Sequence, residues 1–359
     1  MRREFLQLAH TYKPENQRIA GYYVSEKLDG TRCFWDGGIS RGLDTLEVPW
    51  ANTINPKTGD QKHTIKPYAT GLWSRYGNPI IAPDWFLDKL PPFPLDGELW
   101  AGRGNFQLCR SVCGGNDPDP RFDQIHFPVF SSPPFEAVFQ SGEIKNTNFH
   151  KVLNLKQIRS WVKQVSKGIP AVPKGSTFDE EMFWLRGWRG WDHQVYVLKQ
   201  TRLPNDETAA REQLGDILDS YLEQGGEGVI LRAPTSIWTP KRVKDVLKFK
   251  PWHDAEGTII GFTSGRKTEK GSKLLGMVGA LVLDYKGKRL ELAGLTNEER
   301  LFETTQMSAH AVQHPGEDMP PYFQGKHFRK GEKVTFKYRE LSDEGIPKEA
   351  RYWRKRDVE

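Results

Sequence analysis

The chain has 359 residues, enough for two domains, and its 37% hydrophobic and 27% charged content is that of an ordinary globular protein. No run approaches the roughly 18 consecutive apolar residues of a membrane span, and neither a long apolar stretch nor a small-residue cleavage site follows Met1-Arg2-Arg3-Glu4-Phe5-Leu6, so no membrane partner and no leader are expected. The net charge of +6 and pI near 9.0 suit a polyanionic partner such as nucleic acid, while three cysteines (Cys33, Cys109, Cys113) suit a reducing compartment and cannot complete a four-cysteine zinc site.

In chain order, Gly21-Tyr22-Tyr23-Val24-Ser25 and Cys33-Phe34-Trp35 read as strands, the second closed by a turn at Asp36-Gly37-Gly38. Lys27 lies on the short link between them. An exposed lysine, with a pKa near ~10.4, is ammonium at neutral pH and cannot attack anything. Burial or cationic neighbours release the amine as a nucleophile. Residues 38–70, with Pro49, Pro56 and Gly59 and little periodicity, predict a surface insertion. Leu95-Asp96-Gly97-Glu98-Leu99-Trp100 predicts a turn running into a strand with Glu98 at its start. Ile125 to Phe130 predicts another strand.

Helical spacing of Leu155, Ile158, Trp161, Val162 and Val165 predicts a helix over 155–165. A second helix is predicted over 207–222, capped by Asp206 and stopped by Gly225-Gly226. Strands follow at 228–232 and 246–250. After Pro251 the pattern becomes short strands and Gly-rich turns, which predicts a small all-β unit of OB type. The stretch 303–325 interrupts it and reads as a surface loop. His310 and His314 there have the spacing of a helical metal pair, but Pro315 and Pro320-Pro321 argue against a helix.

Charged residues recur on or beside these strands: Lys27, Arg32, Glu98, Glu227, Lys248 and Lys250. Charges are rarely buried unless paired or liganded, so several at strand ends imply a shared polar cleft. Lys248 and Lys250 alternate with Phe249 and so share one face of a strand, as two cations facing a di- or triphosphate would. Glu98 and Glu227 suit Mg²⁺ or a ribose hydroxyl, and Phe130 suits stacking on a base.

Lys-Leu-Asp-Gly-Thr-Arg, Ser-Arg-Tyr-Gly-Asn-Pro, Leu-Asp-Gly-Glu-Leu, Glu-Gly-Val-Ile-Leu-Arg and Leu-Lys-Phe-Lys-Pro occur in that order, followed by Asp254-Ala255-Glu256-Gly257. This series resembles the nucleotidyltransferase motifs of ATP-dependent DNA ligases, of the compact bacterial and phage type. The resemblance covers most of 20–300 and returns at about 328–357. It implies an α+β nucleotidyltransferase (adenylation) domain over 1–252, with antiparallel sheets and flanking helices, and a small all-β OB-fold domain over 253–359. It implies a ligase that uses ATP and Mg²⁺ to seal nicks in duplex DNA, as a monomer in the cytoplasm (a bacterial host's, if the protein is a phage's).

By the same resemblance, Lys27 would attack the α-phosphate of ATP and carry AMP as a phosphoramidate. Arg32 and Glu98 would hold the ribose side, Phe130 would stack on adenine, and backbone around Glu26 would read the adenine edge. Glu98 and Glu227 would serve the metal, and Lys248 and Lys250 the α-phosphate. Of two candidates for the arginine motif, Arg41 and Arg75, Gly77-Asn78-Pro79 favours Arg75. The basic clusters containing Lys330, Lys333, Lys337, Arg339, Arg351 and Arg354 would meet the DNA backbone.

Three features depart from the family pattern. Ser131 follows Phe130 where an aspartate is usual. The segment Arg351 to Asp357 replaces an Arg-x-Asp-Lys motif, and 303–325 has no counterpart. NAD-dependent ligases carry a further domain ahead of the lysine and a four-cysteine zinc module; the 26 residues before Lys27 and the three cysteines favour ATP. An RNA ligase, an mRNA-capping guanylyltransferase and a non-catalytic nick-binding protein are the alternatives.

Overall fold

The computed structural model describes residues 6–55, 58–139, 155–165, 167–168, 170–267, 273–342 and 344–355. They form two compact units, Met1–Phe249 and Lys250–Glu359.

The first unit holds ten strands in two five-stranded sheets. Its elements in order are β1 (Leu8–Thr11), β2 (Tyr23–Glu26), β3 (Thr31–Asp36), β4 (Leu72–Ser74), α1 (Asp84–Leu87), β5 (Pro94–Leu99), α2 (Phe106–Gly114) and β6 (Phe127–Ser131). There follow α3 (Phe135–Phe139), α4 (Leu155–Val165), α5 (Phe178–Gly187), β7 (Val195–Val197), β8 (Thr201–Arg202), α6 (Glu207–Glu223), β9 (Val229–Arg232) and β10 (Arg242–Phe249). One sheet has the order β1-β10-β9-β2-β8 and the other β4-β3-β5-β6-β7, antiparallel except for the β1–β10 and β6–β7 pairs. β2 and β3 are thus not a hairpin. The four-residue link carrying Lys27 passes from one sheet to the other, and that placement sets it at the cleft between them.

α6 covers the first sheet. Ala210, Leu214 and Leu218 recur every fourth residue and pack with Val24, Val229 and Leu231. Asp206 accepts a hydrogen bond from the Ala209 N–H at 2.9 Å, and Gly225 takes a left-handed φ of +80° after the last turn. The second sheet is buried on α1, α2 and α5 through Phe86, Val112, Met182 and Leu185.

The expected surface insertion over 38–70 is corrected by its burial. Val48, Trp50, Ala51 and Ala69 are fully buried with Phe34 and Trp73, and the Trp50 and Trp73 rings meet edge to face at 6.0 Å. The turn at Ser40 is tied to buried Asp36, which also accepts from the Trp73 indole N–H at 2.9 Å. Apolar residues spaced without period can still fill a core when isolated bridges and turns, not helices or long strands, present them.

The expected turn at Leu95-Asp96-Gly97 is also corrected. β5 begins at Pro94 and contains all three residues, with Glu98 near its end. Gly97 is required by close approach and not by a turn: a Cβ there would lie 2.6 Å from the Phe127 ring and 2.7 Å from the Pro128 carbonyl.

Among the described residues, the second unit is all-β apart from one α-helix. β11 (His253–Ser264), β12 (Val278–Tyr285), β13 (Lys288–Leu292), α7 (Thr305–Gln313), β14 (Lys333–Tyr338), β15 (Glu340–Leu341), β16 (Pro347–Lys348) and β17 (Arg351–Lys355) follow in order. The main sheet runs β13-β12-β11-β14-β17, and β15–β16 form a separate ribbon. β11 has twelve residues and a register shift near Ile259–Gly261, which lets one strand bend around the core of Phe262, Leu281, Leu283, Val334 and Phe336. The expected loop over 303–325 is corrected in part: α7 occupies 305–313, with Thr304 as its cap and Ala311 buried against that core. Pro315 lies beyond the helix end, where proline is tolerated. No helix among the described residues is long and apolar enough to cross a membrane.

Candidate active site

Lys27 is placed by the β2–β9 register. Glu26 opposes Val229, and the Lys27 N–H donates to the Gly228 carbonyl at 2.8 Å, one step beyond the last strand pair. The next residue on that side is Glu227, and the Lys27 ammonium donates to its carboxylate. Gly30, in the same link, has no room for a side chain: a Cβ would lie 2.2 Å from the Leu99 carbonyl oxygen. The link is therefore pressed against the end of β5, which brings Lys27 toward the second sheet.

β3 and β5 supply the opposite wall. Arg32 pairs with Glu98 in register, and Asp96 lies two residues along on the same face. The Arg32 guanidinium makes two hydrogen bonds to the fully buried Asp96 carboxylate, at 2.6 and 2.8 Å, and sits 4.6 Å from the Phe130 ring centre. Burial works to lower the Arg32 pKa, but the Asp96 charge and hydrogen bonds raise it above the ordinary value. The Glu98 carboxylate makes no hydrogen bond among the described residues. Burial pushes its carboxyl up to about 7, against the opposing pull of Arg32 and Lys27. A half-buried carboxylate with open acceptor positions beside two cations is prepared for a hydroxyl or a metal ion.

A cavity of about 300 Å³ joins these groups. Lys27, Arg32, Arg75, Glu98, Phe130 and Lys248 all line it. Glu26 lines it too, with its carboxylate held by Nε and Nη2 of Arg103 at 2.7 and 2.9 Å. Arg41, the other candidate for the arginine motif, is instead bound to Asp84 and Asp88 at 2.8 and 2.7 Å. Lys250 falls in the second unit, where it pairs with Glu340 at 3.5 Å; β10 ends at Phe249, so the expected strand carrying both lysines stops one residue short.

Three residues at the site escaped sequence reasoning. Asp96 anchors Arg32, Arg103 clamps Glu26, and buried Arg232 donates to the Phe130 carbonyl at 3.4 Å. Asp96 and Arg232 each leave a signal, inside Leu-Asp-Gly-Glu and at the end of Glu-Gly-Val-Ile-Leu-Arg, and Arg103 leaves none. Ser131, which stands where the family pattern has an aspartate, is itself bound to a carboxylate. Buried Glu181, on α5, accepts hydrogen bonds from the Ser131 hydroxyl and the Ser132 N–H, and its charge opposes the lowering of the Arg232 pKa that burial causes.

In the second unit, the residues expected to meet DNA sit on β14, β17 and their flanks. Lys330, Lys333, Arg351 and Arg354 are exposed. The Lys337 ammonium lies 3.7 Å from the Trp353 ring centre, with Arg354 over the same ring at 4.7 Å. Arg339 is committed locally: it stacks on Trp252 at 3.6 Å and donates to the Lys250 and Pro251 carbonyls. Arg356 and Asp357 lie outside the described residues. His310 and His314 are stacked at 4.3 Å, and no group of three or more metal-ligating side chains occurs among the described residues.

A divalent cation fits the first unit on chemical grounds. Mg²⁺ takes one or two carboxylates plus water and substrate phosphates. Glu98, desolvated and with unused acceptor oxygens, and Glu227 beside Lys27 offer that donor set.

Residues 270–356 match a family model described as the DNA ligase OB-like domain. The chain is 24% identical over 352 residues to a DNA ligase of Haemophilus influenzae, covering 98% of this chain and 92% of that protein. Its fold matches a solved structure from a study of DNA binding by the minimal Lig E DNA ligases, with a TM-score of 0.61, 24% identity and 98% coverage of each chain. The fold is that of a ligase nucleotidyltransferase domain followed by an OB domain, and the resemblance to DNA ligases holds along the whole chain.

Proposed function

We propose that the chain is an ATP-dependent DNA ligase that seals nicks in duplex DNA through a lysyl-AMP intermediate. The observation that carries this reading is the convergence of Lys27, Glu227, Arg32, Glu98, Phe130 and Lys248, on and beside strands of two sheets, at one site in a chain similar to DNA ligases over 98% of its length. The adenylation domain is assigned to residues 1–252 and the OB domain to 253–359, a boundary three residues beyond that of the two compact units.

In the first step the Lys27 amine attacks the α-phosphorus of ATP. A P–N bond forms, the bond to the bridging α–β oxygen breaks, and pyrophosphate leaves. The ammonium must first lose a proton, and Glu227, in hydrogen-bond contact, is the group placed to take it. Phe130 stacks on adenine and the backbone at Glu26 reads its edge. Arg32, fixed by Asp96, and Glu98 orient the ribose, while Arg75, Lys248 and Lys250 bind phosphate oxygens. Such chemistry is mostly positioning and charge stabilisation. Glu98 and Glu227 would hold Mg²⁺, which supplies neutralisation of the developing phosphate charge.

In the second step an oxygen of the nick's 5′-phosphate attacks the lysyl-AMP phosphorus, and the P–N bond breaks. In the third the 3′-hydroxyl attacks the 5′-phosphorus, forming the phosphodiester and expelling AMP. The second unit contributes backbone-phosphate contacts through Lys330, Lys333, Lys337, Arg351 and Arg354, so binding weakens with salt and is indifferent to sequence. The three free, buried cysteines suit a monomer working in a reducing cytoplasm.

The test is incubation with α-labelled ATP, GTP or NAD and Mg²⁺, followed by a denaturing gel. Label from ATP alone, bound at residue 27 and abolished in Lys27→Ala while nick binding persists, is the expected result. Undiminished labelling of Lys27→Ala would remove this lysine from the chemistry, and labelling by GTP would indicate a capping-type enzyme.

A further inference from the structure

A second cavity, of about 560 Å³, opens in the first unit where the 38–70 segment meets α2. Lys62, Lys66 and Arg110 line it, and no carboxylate does. Lys62 donates only a long 3.4 Å hydrogen bond to the Asn78 side chain, and Lys66 makes no hydrogen bond or ion pair among the described residues. Both lysines are half-buried, and burial lowers the pKa of each. Clustered, desolvated cations without a counter-charge are costly unless an anion returns what was lost. The rest of the lining includes the neutral donors Asn78, Thr31 and Ser74.

Thr31 and Ser74 also locate the cavity. Each is the chain neighbour of a residue lining the nucleotide cleft, Arg32 and Arg75. On β3 successive residues face opposite sides, so Thr31 and Arg32 set the two cavities on either side of the start of that strand, while Arg75 follows the end of β4 at Ser74. A duplex carries a phosphate every ~3.4 Å along each strand. A DNA strand presented to the cleft therefore has further phosphates within reach of this second site.

We propose that Lys62, Lys66 and Arg110 form a phosphate subsite that grips the DNA backbone beside the nick. The inference rests on the ligase reading above. It gives the 38–70 segment a role: its buried aromatic half fixes it to the core, and its basic half faces the substrate.

The test compares wild type with Lys62→Gln/Lys66→Gln in two assays. Charging by labelled ATP reads the first step, and fluorescence anisotropy with nicked duplex over a series of salt concentrations reads DNA affinity. The expected result is unchanged charging, a roughly 10-fold higher Kd for nicked DNA, and a log Kd–log salt slope shallower by about 1.8, at about 0.9 per lost phosphate contact. Unchanged Kd and slope would overturn the proposal. So would a defect confined to binding of inorganic pyrophosphate, measured in parallel, which would make the subsite one for free anions. Failure of the wild-type protein to charge would instead strike the ligase reading. If the double variant is unstable, the exposed Arg110→Gln is read in the same way, with the loss of one contact.

Discussion

Glu98 sets a pH dependence that its surroundings fix in sign. Its carboxyl titrates near 7 in the folded chain, against an ordinary value of about 4.3 when unfolded. Between those values the folded protein holds a proton that the unfolded chain has released, so this group's contribution favours folding less as pH rises, and the penalty is complete above 7. Glu98→Gln is expected to melt at a higher temperature than wild type at pH 8, with the gap closing toward pH 4.5. A gap independent of pH would contradict the burial cost. Asp96 carries the opposite lesson. Fully buried and bound twice to Arg32, it cannot be removed without stranding a cation, and Asp96→Ala should lose about 3–5 kcal/mol in urea unfolding. A loss under 1 kcal/mol would mean that Arg32 finds another partner. Glu98, Arg32, Lys27 and Glu227 were legible in short motifs. The roles of Asp96, Arg103 and Arg232 were not, because each acts through a partner distant in sequence, and no local pattern records that pairing.

Among the elements, the helices were read from spacing and caps: Asp206 and the Gly225 stop bound α6 as periodicity requires. Strand pairing was less legible. β2 and β3 look like a hairpin because only four residues separate them, yet they belong to different sheets, and the pressure of Gly30 on Leu99 is what holds the crossing. Pro315 and Pro320 do not interrupt α7, since both follow the helix. α7 depends on its N-terminus. Thr304 accepts from the Met307 N–H, and Thr304→Ala should cost about 1 kcal/mol of second-unit stability in chemical denaturation. An unchanged midpoint would show that packing of Ala311 alone keeps the helix.

For the whole molecule, the proposed reaction divides between the two units: the nucleotide chemistry falls to the first, and the second adds the exposed cations Lys333 on β14 and Arg351 and Arg354 on β17. The overall charge of +6 was enough to suggest a nucleic acid partner, and the ordered motifs were enough to suggest which reaction. Neither could place Lys62, Lys66 and Arg110 together, because the segment bearing the two lysines lacks any period to fold by eye. The central claim is that AMP held on Lys27 is an intermediate on the way to a sealed nick. Protein labelled with α-labelled ATP and freed of excess nucleotide would be mixed with nicked duplex and Mg²⁺, and label and DNA followed together over one turnover. The account predicts that label leaves the protein as the nick closes, passing through a 5′-adenylylated DNA strand. Label that stays on the protein while an intact 5′-phosphorylated nick remains open would contradict it.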